Sequence, residues 1–165
     1  MASIIRLSEG ANLALHATML LAKTPTQSQD TAHLAARIGA SGAHLSKVLQ
    51  RLQHAGIVKS IRGPKGGFAL AHEPGQITLL DICEVIEGPI EVRTCLLERP
   101  ICGAGQCIFG TFLGSATREF RDLLKRTTLA KVTRRDGKPE PVKQRKPVTA
   151  PRAGRSGKGA RDRAA

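Results

Sequence analysis

Apolar positions recur at helical spacing along the first part of the chain. Between Ser8 and Ala22, Leu13, Ala17, Leu20 and Leu21 form one stripe, which predicts an amphipathic helix. Glu9, Asn12 and His16 share a neighbouring face, because residues three and four apart are adjacent on a helix. Lys23 to Gln29 contains Pro25 and polar residues and reads as a loop. Asp30 is a suitable N-cap for a short helix, TAHLAARI, which Gly39 ends. Ser41 caps the next helix, GAHLSKVLQRLQHA, which stops at Gly56. On that helix Leu45, Val48, Leu49 and Leu52 face a core, and His44, Lys47, Gln50 and Arg51 remain outside. Two helices joined by a tight glycine-containing turn predict a helix-turn-helix.

The period then changes. Ile57 to Ile61 is a short β-prone run, RGPKGG is a turn with basic residues at its tip, and Phe68 to Ala71 is a second short strand. A hairpin placed directly after a helix-turn-helix reads as a wing; a plain surface hairpin is the alternative. Thr78 to Glu87, TLLDICEVIE, is a further helix with Leu79, Ile82, Cys83 and Ile86 on one face, ended by Gly88 and Pro89. Cys83 on that face reads as a small core residue. A loop spans about 90–107, and a long helix follows over about 108–126, with Phe109, Phe112, Phe120, Leu123 and Leu124 supplying apolar surface. That much apolar surface in a small domain calls for a cover, and a partner subunit is the natural one. The expected fold is mainly α: a winged helix-turn-helix over residues 1–132 with a small β-hairpin wing and a long dimerisation helix, then a disordered basic tail over 133–165.

Charge refines this picture. The 165 residues include 26 Lys and Arg against 13 Asp and Glu, a net of +13, which favours polyanionic partners. From Arg134 to Ala165 there are 11 basic and 3 acidic residues, a net of +8, so the folded part is only moderately basic. The tail has almost no large apolar residues to offset its ordering entropy, and its cations should add salt-sensitive affinity for DNA. Without Trp or Tyr and with four Phe, the chain offers little for stacking single-stranded bases, so duplex DNA is the better partner. Ser41, His44, Lys47, Arg51, Arg62 and Lys65 are the candidates for base edges and phosphates, although each alone is also an ordinary solvated surface residue.

The apolar run from Ala11 to Ala22 is interrupted by Asn12 and His16 and is too short to span a bilayer. A cytoplasmic protein with no membrane partner is expected, and its cysteines then read as metal-binding or redox-active instead of disulfide-forming. No GxSxG, P-loop, HExxH or paired carboxylates appear, so neither an enzyme nor a small-molecule substrate is expected. The chemistry lies in Cys95-x6-Cys102-x4-Cys107, three thiols in 13 residues with Gly103 and Gly105 between them. Thiolates are soft ligands for iron–sulfur clusters and zinc, and glycines let several sulfurs converge. Structural zinc sites usually bring closely spaced Cys-x2-4-Cys pairs, which are absent, so a cluster is favoured; thiol oxidation without metal is the other reading. Three cysteines leave a fourth position, for which His16, Glu9 and Asn12 are candidates; a partly exposed helix residue is the plainer reading of His16.

RLSEGANLALHATMLLA, SGAHLSKVLQRLQHAGIVKSIRGPKGGFAL, ITLLDICEVIEGP and the three-cysteine loop together resemble the IscR, NsrR and RirA group of bacterial regulators, the Rrf2 family. The resemblance covers about residues 4–132. It implies a homodimeric winged-helix repressor or activator of promoter DNA, and a repressor is the expectation. Cluster cysteines fall at Cys95, Cys102 and Cys107, a DNA-reading helix over Ser41 to Ala55, a wing over Arg62 to Phe68, and a dimerisation helix after the cysteines. The first-helix position that is acidic in some members is Asn12 here, a poor ligand. His16, one turn on, matches a ligand position of at least one branch and is taken as the fourth ligand. A two-iron, two-sulfide cluster (2Fe-2S) is the favoured cofactor, with 4Fe-4S the other form. Nitric oxide, iron supply or redox state is the expected signal. A cluster-free thiol-redox or zinc-dependent DNA-binding switch is the alternative, and a cluster scaffold a more distant one.

Overall fold

A computed structural model describes residues 7–63, 66–92, 95, 109 and 111–134. Cys102, Cys107, Lys65, most of the expected cysteine loop and nearly all of the expected tail therefore lie outside the described residues. The described elements are α1 (Glu9–Lys23), α2 (Thr31–Ile38), α3 (Gly42–His54), β1 (Val58–Ile61), β2 (Gly67–Leu70), α4 (Leu79–Glu87), α5 (Phe112–Arg126) and α6 (Leu129–Thr133).

Four of the helices start where a short polar side chain precedes the apolar period. Ser8 Oγ accepts from Ala11 N at 3.1 Å, and Asp30 Oδ1 accepts from His33 N at 2.8 Å. Ser41 Oγ accepts from His44 N at 3.4 Å. Thr78 and Asp81 form a reciprocal capping box at the start of α4. Gly39 closes α2 in the left-handed region at φ 74°, which turns the chain directly into α3. α2, this turn and α3 are the helix-turn-helix.

β1 and β2 pair antiparallel, with Val58 opposite Leu70 and Ile61 opposite Gly67. Gln29, in the stretch read from sequence as loop, pairs with the outer edge of β2: Gln29 N donates to Phe68 O, and Phe68 N donates to Gln29 O, both at 2.9 Å. The wing is thus stitched to the entrance of the helix-turn-helix. The approach is so close that a Cβ on Gly67 would lie 2.3 Å from Gln29 O.

The core is organised around α1. Ala11, Ala14 and Ala17 are fully buried, and Ala14 and Ala17 with Leu13, Leu20 and Leu21 join one cluster with Leu45, Leu49 and Leu52 of α3, Ile82 of α4 and Leu129 of α6. Small alanines at the centre let several elements approach one helix. Thr18, the one buried polar side chain among the described residues, satisfies its own hydroxyl by donating to Ala14 O at 2.8 Å. A second cluster joins Leu80, Cys83 and Leu124 with Phe120, docking α5 on α4.

Two elements differ from expectation. α5 begins at Phe112, not near residue 108: Phe112 N donates to Phe109 O, a turn that precedes the first helical bond, from Ser115 N to Thr111 O. α6 has no counterpart in the pattern of the sequence. It forms because Leu129 plugs the core while Leu129 N donates to Ile77 O and Leu79 N donates to Thr127 O. Among the described residues no helix is long and apolar enough to cross a membrane.

Replacing Gly67 (φ 147°) with alanine is expected to destabilise the fold by about 1–3 kcal/mol in urea titrations, through positive-φ strain and loss of the Gln29 pairing. Gly75→Ala, where an added Cβ meets nothing within 4 Å, serves as the control and should be near neutral. Equal behaviour of the two variants would contradict the role given to this contact.

Candidate DNA interface and cysteine-loop site

The solvent side of α3 exposes Ser41 and Lys47, and the wing exposes Arg62. Ser41 Oγ is partly occupied as the helix cap. Lys59, exposed on β1 and not singled out from the sequence, adds a cation to the wing; the available signal is a lysine in the strand that leads into the basic turn. His44 is half-buried, and its Nδ1 lies 3.5 Å from Glu9 Oε1, so the start of α3 meets the start of α1. Arg51 behaves differently from its neighbours. Its Nη2 donates to Val85 O at 2.9 Å and to Ile86 O at 3.0 Å, in the last turn of α4.

The proposed fourth-ligand candidates lie together on the exposed side of α1. His16 Nδ1 lies 2.7 Å from Asn12 O. A carbonyl oxygen only accepts, so Nδ1 carries a proton and donates; in the neutral ring Nε2 is then the nitrogen left with a lone pair for a ligand or acceptor role. Glu9 is instead drawn to His44, and Asn12 offers a neutral amide side chain. His16 borders two hollows. One, of about 320 Å3, is lined by Leu13, Met19, Leu20 and Ile38 with Asn12 and Arg37; a smaller one is lined by Leu15, Met19, Leu79, Leu129 and Val132.

Cys95 is half-buried and in no disulfide. Cys83 is fully buried, as expected from its place on the apolar face of α4. Burial, then the neighbouring carboxylates of Glu87 and Glu84, push its thiol from 9.0 up to about 11. That environment makes it inert toward metals and oxidants. The described residues contain no group of three or more His, Cys, Asp or Glu that could hold a metal ion, and two of the three loop cysteines lie outside them.

The cysteine segment leaves from the end of α4, where several elements converge. Ser8 N donates to Glu87 Oε1 at 2.8 Å, and Ile90 N donates to Glu84 Oε1 at 3.2 Å. Arg121 of α5 stands 4.0 Å from the same Glu84 oxygen. A Cβ on Gly10 would lie 3.1 Å from Ile86 Cγ2, so α1 crosses this turn closely.

A helix-turn-helix followed by a hairpin carrying exposed cations defines a winged-helix DNA-binding protein. Residues 7–135 match the family model described as "Rrf2: Iron-dependent Transcriptional regulator", and the chain belongs to the Rrf2 family. Its members are transcriptional regulators and not enzymes. The chain is 30% identical over 118 residues to the HTH-type transcriptional repressor NsrR of Streptomyces coelicolor, covering 70% of this chain and 80% of that one. Among solved structures it is similar to CymR, the global cysteine regulator of B. subtilis, with a TM-score of 0.68 and 28% identity over 79% of this chain and 98% of that one. It is also similar to IscR of T. potens, with a TM-score of 0.64 and 26% identity over 79% and 88% of the two chains.

The raised Cys83 thiol has a pH consequence. Between about pH 9 and about pH 11 the unfolded chain loses this proton while the folded chain keeps it, so stability falls as pH rises through that window. Urea titrations of the wild type and of Cys83→Ala at pH 8 and pH 10.5 should show a smaller alkaline loss in the variant; an equal loss would contradict a buried neutral thiol.

Proposed function

We propose that this protein is a homodimeric regulator of promoter DNA that carries an iron–sulfur cofactor on Cys95, Cys102 and Cys107, with His16 as the fourth ligand. The observation that carries the reading is the donor set: three soft thiols in 13 residues, attached to a winged-helix chain of an iron-dependent regulator family. The described residues fit the group. Cys95 is a half-buried free thiol, and His16 has its Nδ1 pinned to Asn12 O with Nε2 left open, the arrangement of a metal-ligating histidine. When bound, such a cofactor supplies a centre that responds to nitric oxide, iron supply or redox state.

Each end of the chain's chemistry has a partner. Lys47, Arg62 and the neighbouring Lys59 face solvent, where they grip duplex phosphates and base edges together with Ser41 and His44; Lys65, outside the described residues, is a further candidate from its place in the RGPKGG turn. Phe112 (61% exposed), Leu123 (45%) and Phe109 (40%) leave an apolar stripe along and ahead of α5, which pairing with a second copy covers. The basic tail adds sequence-independent attraction to DNA. Repression is the simplest output of such a module. A second reading, a cluster-free thiol-redox or zinc-dependent switch, draws support from the similarity to CymR, described as a global cysteine regulator.

Anaerobic purification followed by a visible spectrum and iron and acid-labile sulfide assays tests the reading. With no Trp or Tyr, a cofactor should dominate the near-ultraviolet and visible absorbance. The expected result is a brown protein with matched iron and sulfide, lost in Cys102→Ser and weakened in His16→Ala. A colourless protein carrying zinc or free thiols after anaerobic reconstitution would replace this reading by the second.

A further inference from the structure

Arg51 lies on the exposed side of the recognition helix, where a cation is expected to meet DNA. Its guanidinium instead reaches across to α4 and bonds the Val85 and Ile86 carbonyls. Those carbonyls belong to the last turn of a helix, where no following amide pairs with them and where the helix carries partial negative charge. Arg51 therefore acts as a side-chain cap for another helix, 34 residues away in sequence.

The same turn of α4 holds the start of the cysteine-bearing segment. Gly88 N donates to Glu84 O, and Ile90 N donates to the Glu84 carboxylate, which fixes the direction in which the chain leaves. From Ile90 to Cys95 the chain is five residues long, a reach of at most about 17 Å. Where Cys95 is held thus limits where Ile90 can sit. Ser8 at the start of α1 and Arg121 of α5 meet the same turn through Glu87 and Glu84.

We propose that Arg51 is a positioning residue, not a DNA contact: it couples the C-terminal end of α3 to the last turn of α4, so that the state of the Cys95 segment sets the placement of the recognition helix. This rests on the reading under Proposed function. Glu84 is the matching tie on the other side of the turn. Arg51 and Glu84 need not touch DNA or the cofactor for this role.

The test measures the affinity of the wild type, Arg51→Gln and Glu84→Ala for the same operator, each cofactor-loaded and cofactor-free, across a salt series with iron content recorded. In the wild type the two states should differ in affinity. In Arg51→Gln that ratio should shrink by about 2- to 30-fold, with iron content and salt slope unchanged. Glu84→Ala should shrink it likewise, and the double variant should do little more than either alone. Arg51→Lys, which keeps a donor at the α4 carbonyls, should restore part of the ratio, and it carries the test if Arg51→Gln does not fold. An unchanged ratio overturns the proposal. So does a parallel loss of affinity in both states with the salt slope reduced by about one, the mark of a phosphate contact. Equal affinity of the two wild-type states would overturn the cofactor-responsive reading itself and this inference with it, a result distinct from failure of the variants alone.

Discussion

Burial of one face of α1 is the constraint on which the rest of the molecule depends. Helices α2, α3, α4 and α6 and strand β2 all pack on this helix. Each leucine it buries contributes about 1.5–3 kcal/mol, whereas a partly exposed ion pair such as Arg121 with Glu84 contributes at most about 1 kcal/mol. The apolar stripe therefore decides the fold, and the polar contacts decide how its pieces are oriented. Ala11, Ala14 and Ala17 are fully buried on the same helix, and their small side chains take little room where α3 and α4 pack against it.

That constraint also determines what α1 has left to offer. With its apolar face consumed, Glu9, Asn12 and His16 are presented together outward. The start of the helix is held by Ser8 N on Glu87 and by the close crossing of Gly10 over Ile86. The face that bears the proposed ligand His16 and the end of α4 that launches the cysteines are thus fixed relative to one another. The recognition helix is bound to the same frame at both ends, through His44 near its start and Arg51 near its finish. A DNA reader and the proposed sensor segment, built on one small core, need no separate hinge domain; they need shared anchoring points.

Much of this was legible in the sequence where local chemistry and period agreed. Ser8, Asp30, Ser41 and Thr78 each precede an apolar repeat, and each caps its helix. The core positions Leu45, Val48, Leu49 and Leu52 follow from the 3.6-residue period alone. What escaped was set by partners distant in the chain. The five residues of α6 are too few to show a period, and their helix exists because Leu129 docks beneath Ile77. Gln29 looks like loop because only Phe68 gives it strand character. The helical period puts Arg51 on the outer face as a candidate DNA contact, and nothing local reveals that its guanidinium reaches α4. For His16, a ligand candidate from the sequence, the structure adds the Asn12 carbonyl that its Nδ1 bonds.

The central claim is that the cysteine segment and the recognition helix share the last turn of α4. Hydrogen exchange on the DNA-free protein, compared between its cofactor-loaded and cofactor-free forms, tests it most directly. The account predicts a change in protection over the last turn of α4 and over the C-terminal half of α3, from Leu49 to His54, together with the cysteine segment. A change confined to the cysteine segment and α5, with α3 exchanging identically in both forms, would contradict it.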